Sequence, residues 1–277
     1  MSDPAAAALP VTVLPTSDPR IRAEVEGPIG RLIVANPARR NAVSLDMWKA
    51  IPQAIAALET HPDVRVVVVR GDGDLAFVSG ADISEFATVR RDAASARAYE
   101  ASNAEAFAAV RHVAKPTIAM IRGFCLGGGM GLAVACDLRI AATDAVFGIP
   151  AARLGVGYPP DCMADVVAAV GPQRAKEMFF TARRMAAAEA LEIGLLTAVH
   201  SVEALENETI DLALAIAHNA PLTIRAAKAA IDAVTAGTLA HDRDRLIALT
   251  DACFASADFA EGRTAFLEKR EARFHGA

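Results

Sequence analysis

The chain has 277 residues, 53% of them apolar, with a formal net charge of −5 and a pI near 5.7. That length suits one large domain or two small ones with a sizeable core, and the acidic balance excludes the basic face that a nucleic-acid binder needs. No apolar run approaches the roughly 18 residues of a membrane span, and four dispersed cysteines, Cys125, Cys136, Cys162 and Cys253, make neither a disulfide frame nor a zinc pair, so a reducing, cytoplasmic setting is expected.

Residues 1–19 carry Pro4, Pro10 and Pro15 and read as a disordered or loosely attached leader. Asp3 and the lack of an early Lys or Arg argue against a signal peptide. "IRAEVEGPIGRLIVANP" predicts two strands around a Gly-Pro turn. Ser44 is placed to cap the helix "LDMWKAIPQAIAALE", in which Pro52 is expected to force a kink or a restart. "VRVVVVRG" (64–71) is β-branched enough for a strand buried on both faces.

"AFVSGADISEF" reads as a strand running into a loop, and residues 92–112 as an alanine-rich helix. "KPTIAMIRG" is a further strand leading to the glycines of "GFCLGGGMGLAVACDLRI". Short strands "LRIAA" and "AVFGI" follow, and from Asp161 the pattern is helical: 161–170, 172–180, 186–193, 203–219, 221–235 and 240–273 with a break near 255–258. The expected organisation is an α/β core over 20–200 and a helical C-terminal region over 201–277.

Four of the five residues from Gly127 to Gly131 are glycine, between a strand and a helix. Each costs about 0.5–1 kcal/mol relative to alanine, so bare backbone is needed there. The spacing is not the G-x-G-x-x-G of a dinucleotide fold, and no Lys-Ser/Thr follows as a phosphate loop requires. Close helix–sheet packing is one explanation. A chemical one is a helix N-terminus whose unpaired N–H groups receive an oxygen that turns negative during reaction, with the small-residue loop "VSGADI" as the source of a second donor.

"NPARRNAVS", "FVSGADISEF", "KPTIAMIRGFCLGGGMGLAVACDLRIAA", "VFGIPAARLGVG", "FFTARRMAAAEALEIGLL" and "AFLEKREARF" occur in this order. As an ordered set spanning about residues 20–273 they resemble the crotonase, or enoyl-CoA hydratase/isomerase, superfamily. The resemblance implies an α/β core of repeated ββα units in a superhelix and a helical C-terminal region that builds a homotrimer or a dimer of trimers. It implies an acyl-coenzyme A substrate with no permanently bound cofactor, the Ala81 and Gly128 amides matching the two donors to the thioester oxygen. Arg39 and Arg40, the Ala81-Asp82-Ile83 segment and Lys269 match positions along the coenzyme, while the basic residue often found after that segment is Ser84 here.

The same resemblance exposes a departure. The two glutamates that hydratases of the family use fall at Gly131 and Ala151, and a third carboxylate position, used by several isomerases, falls at Pro159. None of these side chains transfers a proton. Tyr158 matches methylmalonyl-CoA decarboxylases of the superfamily, whose histidine in the Gly-x-Asp motif corresponds to Ala81, and it is a candidate proton donor. Asp161 is either a displaced base or an N-cap for the helix that follows it. Arg153 is open to pairing with a substrate carboxylate, with Asp161 or with Asp165; Asp82 and Asp137 fit structural hydrogen bonding. The six histidines show no ligand spacing, and no metal is expected. Decarboxylation or isomerisation through a thioester enolate is favoured over hydration. The alternatives are a hydratase with a displaced acid such as Asp161, and a catalytically silent acyl-CoA-binding oligomer subunit.

Overall fold

The computed structural model describes residues 10–158 and 160–277, with Asp161 described by its backbone. The chain opens with β1 (Val11–Leu14), β2 (Ile21–Glu26) and β3 (Ile29–Val34), then α1 (Leu45–Thr60), β4 (Val66–Gly71) and β5 (Ala76–Val78). Helices α2 (Phe86–Val89) and α3 (Ala93–His112) precede β6 (Thr117–Ile121), β7 (Phe124–Leu126), α4 (Gly128–Val134), β8 (Leu138–Ala142) and β9 (Val146–Gly148). Then come α5 (Ala151–Leu154), α6 (Pro160–Thr181), β10 (Met185–Ala186), α7 (Ala187–Glu192) and β11 (Ala198–His200). Four helices close the chain: α8 (Leu205–Ala217), α9 (Pro221–Thr235), α10 (Leu239–Phe254) and α11 (Ala257–Glu268).

Among the described residues the strands form two sheets, ordered β1-β2-β3-β4-β6-β8-β11 and β10-β9-β7-β5. Parallel pairing of β3, β4, β6, β8 and β11 needs crossovers, whose helices α1 and α3 cover one face while α8, after the last strand, covers the other. This explains the valine run. Val67 and Val69 of β4 join the large core shared with α1 and α3, while Val66 and Val68 enter a second cluster against α8. This is the expected α/β crotonase-type core.

Several expectations are corrected. Val11–Leu14, inside the expected leader, pairs antiparallel with Ala23–Glu26 because an alternating β-branched run can complete the sheet edge; residues 1–9 lie outside the described ones. Helix α1 runs through Pro52 without a break: Met47, Trp48, Ile51, Ile55 and Leu58 bury its apolar face and hold it against the lost hydrogen bond. The strand expected to reach the glycines is two strands in different sheets, joined by Gly123 at φ +60°. The short β10, β11 and α5 carry too few residues for a periodic signal. The break in α6 falls at Gly171, before Pro172, where the sequence pattern put it. Ser44 caps α1 as expected, its Oγ accepting from Met47 N.

Candidate active site

The pocket lies where the loop after β5, the glycine turn after β7, the start of α5 and the side of α3 meet. Its volume is about 90 Å³.

Its first wall is main chain. The "NPARRNAVS" segment is a brace for it. Asn41, buried and left-handed at φ +56°, donates from Nδ2 to the carbonyls of Asp72 (2.9 Å) and Ala76 (2.7 Å), while its Oδ1 accepts from Asn36 N (2.9 Å). This sets Val43 beside Ala81: Val43 N donates to Gly80 O and Asp82 N donates to Val43 O, both at 2.9 Å. In such a parallel bridge the Ala81 N–H faces away from Val43. Gly128 is the first residue of α4, so its N–H is one of the helix's unpaired donors. Among the described residues, neither amide donates to another group in the structure, and both residues line the pocket.

The glycines have separate reasons. A Cβ on Gly128 would stand 2.8 Å from Trp48 Cζ2, one on Gly129 2.1 Å from the Val78 carbonyl oxygen, and one on Gly131 2.5 Å from Phe107 Cζ. Gly127 takes φ +52° to turn the chain from β7 into α4. Helix–sheet packing and close approach to a ligand therefore coexist in this loop, at different residues.

The second wall is built of side chains, and most of it was not anticipated from sequence. Glu100, Asn103 and Phe107 follow one another at i, i+3 and i+7 on α3 and reach the same pocket. Asp92 starts this helix with a capping box to Ser95. Phe107 packs edge-on against Trp48 at 5.4 Å and occupies the space beside Gly131. Trp48 Nε1 donates to Tyr99 Oη (2.9 Å), whose phenol burial pushes up to about 12, and Tyr99 Oη donates to Val43 O (3.4 Å). One aromatic cluster thus ties α3 to the strand that presents Ala81. Glu100 is ion-paired with Arg90, and burial raises its carboxyl above the usual glutamate range although Arg90 opposes the shift. The spacing of Glu100, Asn103 and Phe107 was the available signal, masked by the alanines around them.

Of the predicted residues, Tyr158 lies in the pocket. Its hydroxyl donates to Gly127 O at 3.4 Å and its ring packs edge-on against Phe179. Burial pushes its phenol up, so it is neutral at ordinary pH. Asp161 is already the second residue of α6 and not the residue before the helix, which corrects the capping expectation; its side chain, like Pro159, lies outside the described residues. Ala151 starts α5 at the pocket wall.

Arg39 reaches both carboxylate oxygens of Asp82 at 2.9 Å and Ser84 Oγ at 2.5 Å. Burial opposes ionisation of Asp82, but hydrogen bonds from Ser84 and the Arg39 charge hold its carboxyl below the usual range. Asp82 therefore pins the Ala81 loop, and Ile83 is exposed at the pocket rim. Arg40 is exposed and sits over Phe124 at 5.2 Å, and Lys269 caps α11 in a left-handed conformation away from the pocket lining. Arg111, not Arg153, pairs with Asp165. Asp137 accepts from Thr117 N (2.7 Å) and Lys228 (2.8 Å), a structural role. Among the described residues, no group of three or more His, Cys, Asp or Glu side chains can hold a metal ion, and no helix is long and apolar enough to cross a membrane.

The two-sheet core and its pocket define an α/β protein of the crotonase type. The chain belongs to the enoyl-CoA hydratase/isomerase family, which it matches over residues 24–277. It is 37% identical over 255 residues to crotonyl-CoA hydratase of Syntrophomonas wolfei, covering 91% of this chain and 96% of that one. It is 30% identical over 265 residues to the peroxisomal Delta(3,5)-Delta(2,4)-dienoyl-CoA isomerase of Arabidopsis thaliana, covering 92% and 95%. The crystal structure of an enoyl-CoA hydratase/carnithine racemase from Magnetospirillum magneticum superposes with a TM-score of 0.88 at 34% identity, over 95% of this chain and 97% of that one.

Proposed function

We propose that this protein is an acyl-CoA enzyme that holds a thioester oxygen between the Ala81 and Gly128 amides and works through the enolate. It does so by isomerisation or decarboxylation, not by the two-glutamate hydration of its relatives. The carrying observation is the pair of undonated amides facing a pocket in which Gly131 is packed against Phe107 and Ala151 has no acid. Fixed donors aimed at a developing oxyanion need no reorganisation during reaction, and one is worth about 3–4 kcal/mol.

Tyr158, neutral and hydrogen-bonded beside the glycine turn, is the donor that protonates an enolate left by loss of CO2. Coenzyme A enters with the substrate, its phosphates meeting Arg39, Arg40 and the C-terminal Lys269; Asp82 and Ile83 hold the loop they pass. No step requires a resident cofactor. Residues 201–277 form the oligomerisation region of a trimer or a dimer of trimers, which covers Phe254, Phe259 and Phe266, all exposed in the single chain. The dispersed cysteines, three of them buried, suit a reducing cytoplasm.

Hydration remains the competing reading because the Syntrophomonas relative is named a crotonyl-CoA hydratase; it requires an acid in place of the missing pair, with Asp161 the sequence's candidate. Turnover of crotonyl-CoA, methylmalonyl-CoA and a 3-enoyl-CoA by the purified protein separates them. Fast hydration with slow decarboxylation and isomerisation overturns the proposal, and binding without any turnover establishes a silent acyl-CoA-binding subunit.

A further inference from the structure

Glu100 is a half-buried carboxylate in a pocket where the positions at which the resemblance expects an acid carry Gly131 and Ala151. Its side chain is 21% exposed and its partner Arg90's 11%, so the pair is largely withdrawn from water. Arg90 is clamped over the rings of Phe86 (4.4 Å) and Tyr99 (4.3 Å), and Asn103 Nδ2 approaches Glu100 Oε2 at 3.4 Å. A buried ion pair of this kind contributes little to stability compared with apolar residues of the same size. Yet Glu100, Asn103 and Arg90 all border the space the acyl group would fill. A carboxylate held by a stacked guanidinium, with its second oxygen turned to an amide, is positioned and not mobile.

We infer that Glu100 is the proton-transfer residue of this enzyme and that its substrate class is a 3-enoyl thioester, isomerised to the 2-enoyl thioester. The inference rests on the enolate reading above. The Glu100 carboxylate removes a proton from C2, and the C–H electron pair flows into the C1–C2 bond while the thioester oxygen takes the negative charge between the Ala81 and Gly128 amides. The pair then returns from oxygen to restore the C1=O bond, the C1=C2 pair moves to form C2=C3, the C3=C4 pair takes the proton from Glu100 at C4, and the carboxylate is restored. No water, oxidant or second acid is consumed. One carboxylate suffices for such a shift, whereas hydration by the relatives' route needs two. Decarboxylation needs none, and a malonyl-type substrate would bring a further anion against Glu100. Arg90 and Asn103 are positioning residues.

The experiment follows deuterium at C2 and C4 of 3-hexenoyl-CoA by NMR in D2O, for the wild type, Glu100→Gln and Glu100→Asp, with melting temperature and acyl-CoA affinity measured alongside. Glu100→Gln should lose at least about 10²-fold in kcat with affinity kept, and Glu100→Asp should recover part of it. The wild-type profile tests the inference without any variant. The other titratable groups lining the pocket are Arg90, Tyr158 and Cys162, with Tyr99 buried behind Arg90. Burial pushes both phenols up and away from the acid range, so kcat should rise with pH through an apparent pKa above that of ordinary glutamate. A flat acid limb, or full activity in a folded Glu100→Gln protein, overturns the assignment of Glu100 while leaving the enolate reading intact. Absence of C2 exchange in the wild type, together with no polarisation of the carbonyl of a bound chromophoric acyl-CoA, overturns both.

Discussion

The pocket has two walls made of different material. On the proposed reading the groups that act around Ala81 and Gly128 are main-chain N–H, where side chains are minimal, and those along α3 are Glu100, Asn103 and Phe107, carried on an ordinary helix. Main-chain donors fixed by a bridge to Val43 and by the start of α4 are positioned by the fold itself and would serve any reaction that puts charge on the same oxygen. The side-chain wall is free to vary, so on that reading it decides what happens to the carbons. Phe107 shows this trade at one place: it fills the space beside Gly131, while Glu100, seven residues earlier on the same helix, brings a carboxylate back into the pocket.

The largest effect should come from the main-chain wall. Gly128→Pro removes the amide proton at the first helical position, where proline is otherwise accepted. Its ring carbon also meets Trp48, so Gly128→Ala, which carries the same Cβ but keeps the N–H, is the control. The ratio of their kcat values should be about 10²–10³; a ratio near one would mean that Gly128 is there for packing only. Next in size is Gly131→Glu, which supplies the acid that the sequence resemblance expects at this position. With Cβ 2.5 Å from Phe107 Cζ, it should destabilise the fold by about 1–3 kcal/mol in a denaturant titration. Adding Phe107→Ala should recover part of that loss if this ring alone excludes the acid.

The two walls also differ in what the sequence discloses. Glycine is expensive, so the glycines from Gly127 to Gly131 mark themselves as needed, and the order of motifs points to the Ala81 loop, which lines the same pocket. The helices that depend on periodicity were equally legible, including the break at Gly171 and the separation of α10 from α11. Glu100 was not, because an acidic residue in an alanine-rich helix normally faces water. Its burial follows from α3 packing on α1 through Tyr99 and Phe107, a contact between segments some fifty residues apart (Trp48 to Tyr99, |i−j| = 51). The switch of strand between sheets at Gly123 was hidden for a similar reason: which sheet a three-residue strand joins is decided by its neighbours and not by its own sequence.

Ala151→Glu sharpens the comparison from the other direction. Ala151 opens α5 where the core meets the pocket wall, so a carboxylate there borders the pocket and lies in the first turn, where negative charge is favoured. Hydration of crotonyl-CoA should rise by up to about 10²-fold, measured against the wild-type rate, with isomerisation less affected. No gain would mean that the side-chain wall cannot place water even when an acid is supplied.

The smallest effect concerns the joint between loop and coenzyme. Arg39 is half-exposed, with 53% of its side chain accessible, and its guanidinium is engaged by Asp82 and Ser84. A pair this open to solvent is worth at most about 1 kcal/mol, so Arg39→Ala should lower stability only slightly. Its kinetic signature separates two roles. If Arg39 only pins the Ala81 loop, truncation should reduce kcat by up to about fivefold and leave the salt dependence of KM unchanged, because the lost contact is internal. If the same guanidinium also meets the coenzyme phosphates, KM should rise and lose part of its salt dependence, since fewer ionic contacts would remain to be screened. Asp82 and Ser84 engage Nη1 of Arg39, so the second pattern should be weaker for Arg39 than for Arg40, which is exposed over Phe124 and is the more available cation of the two.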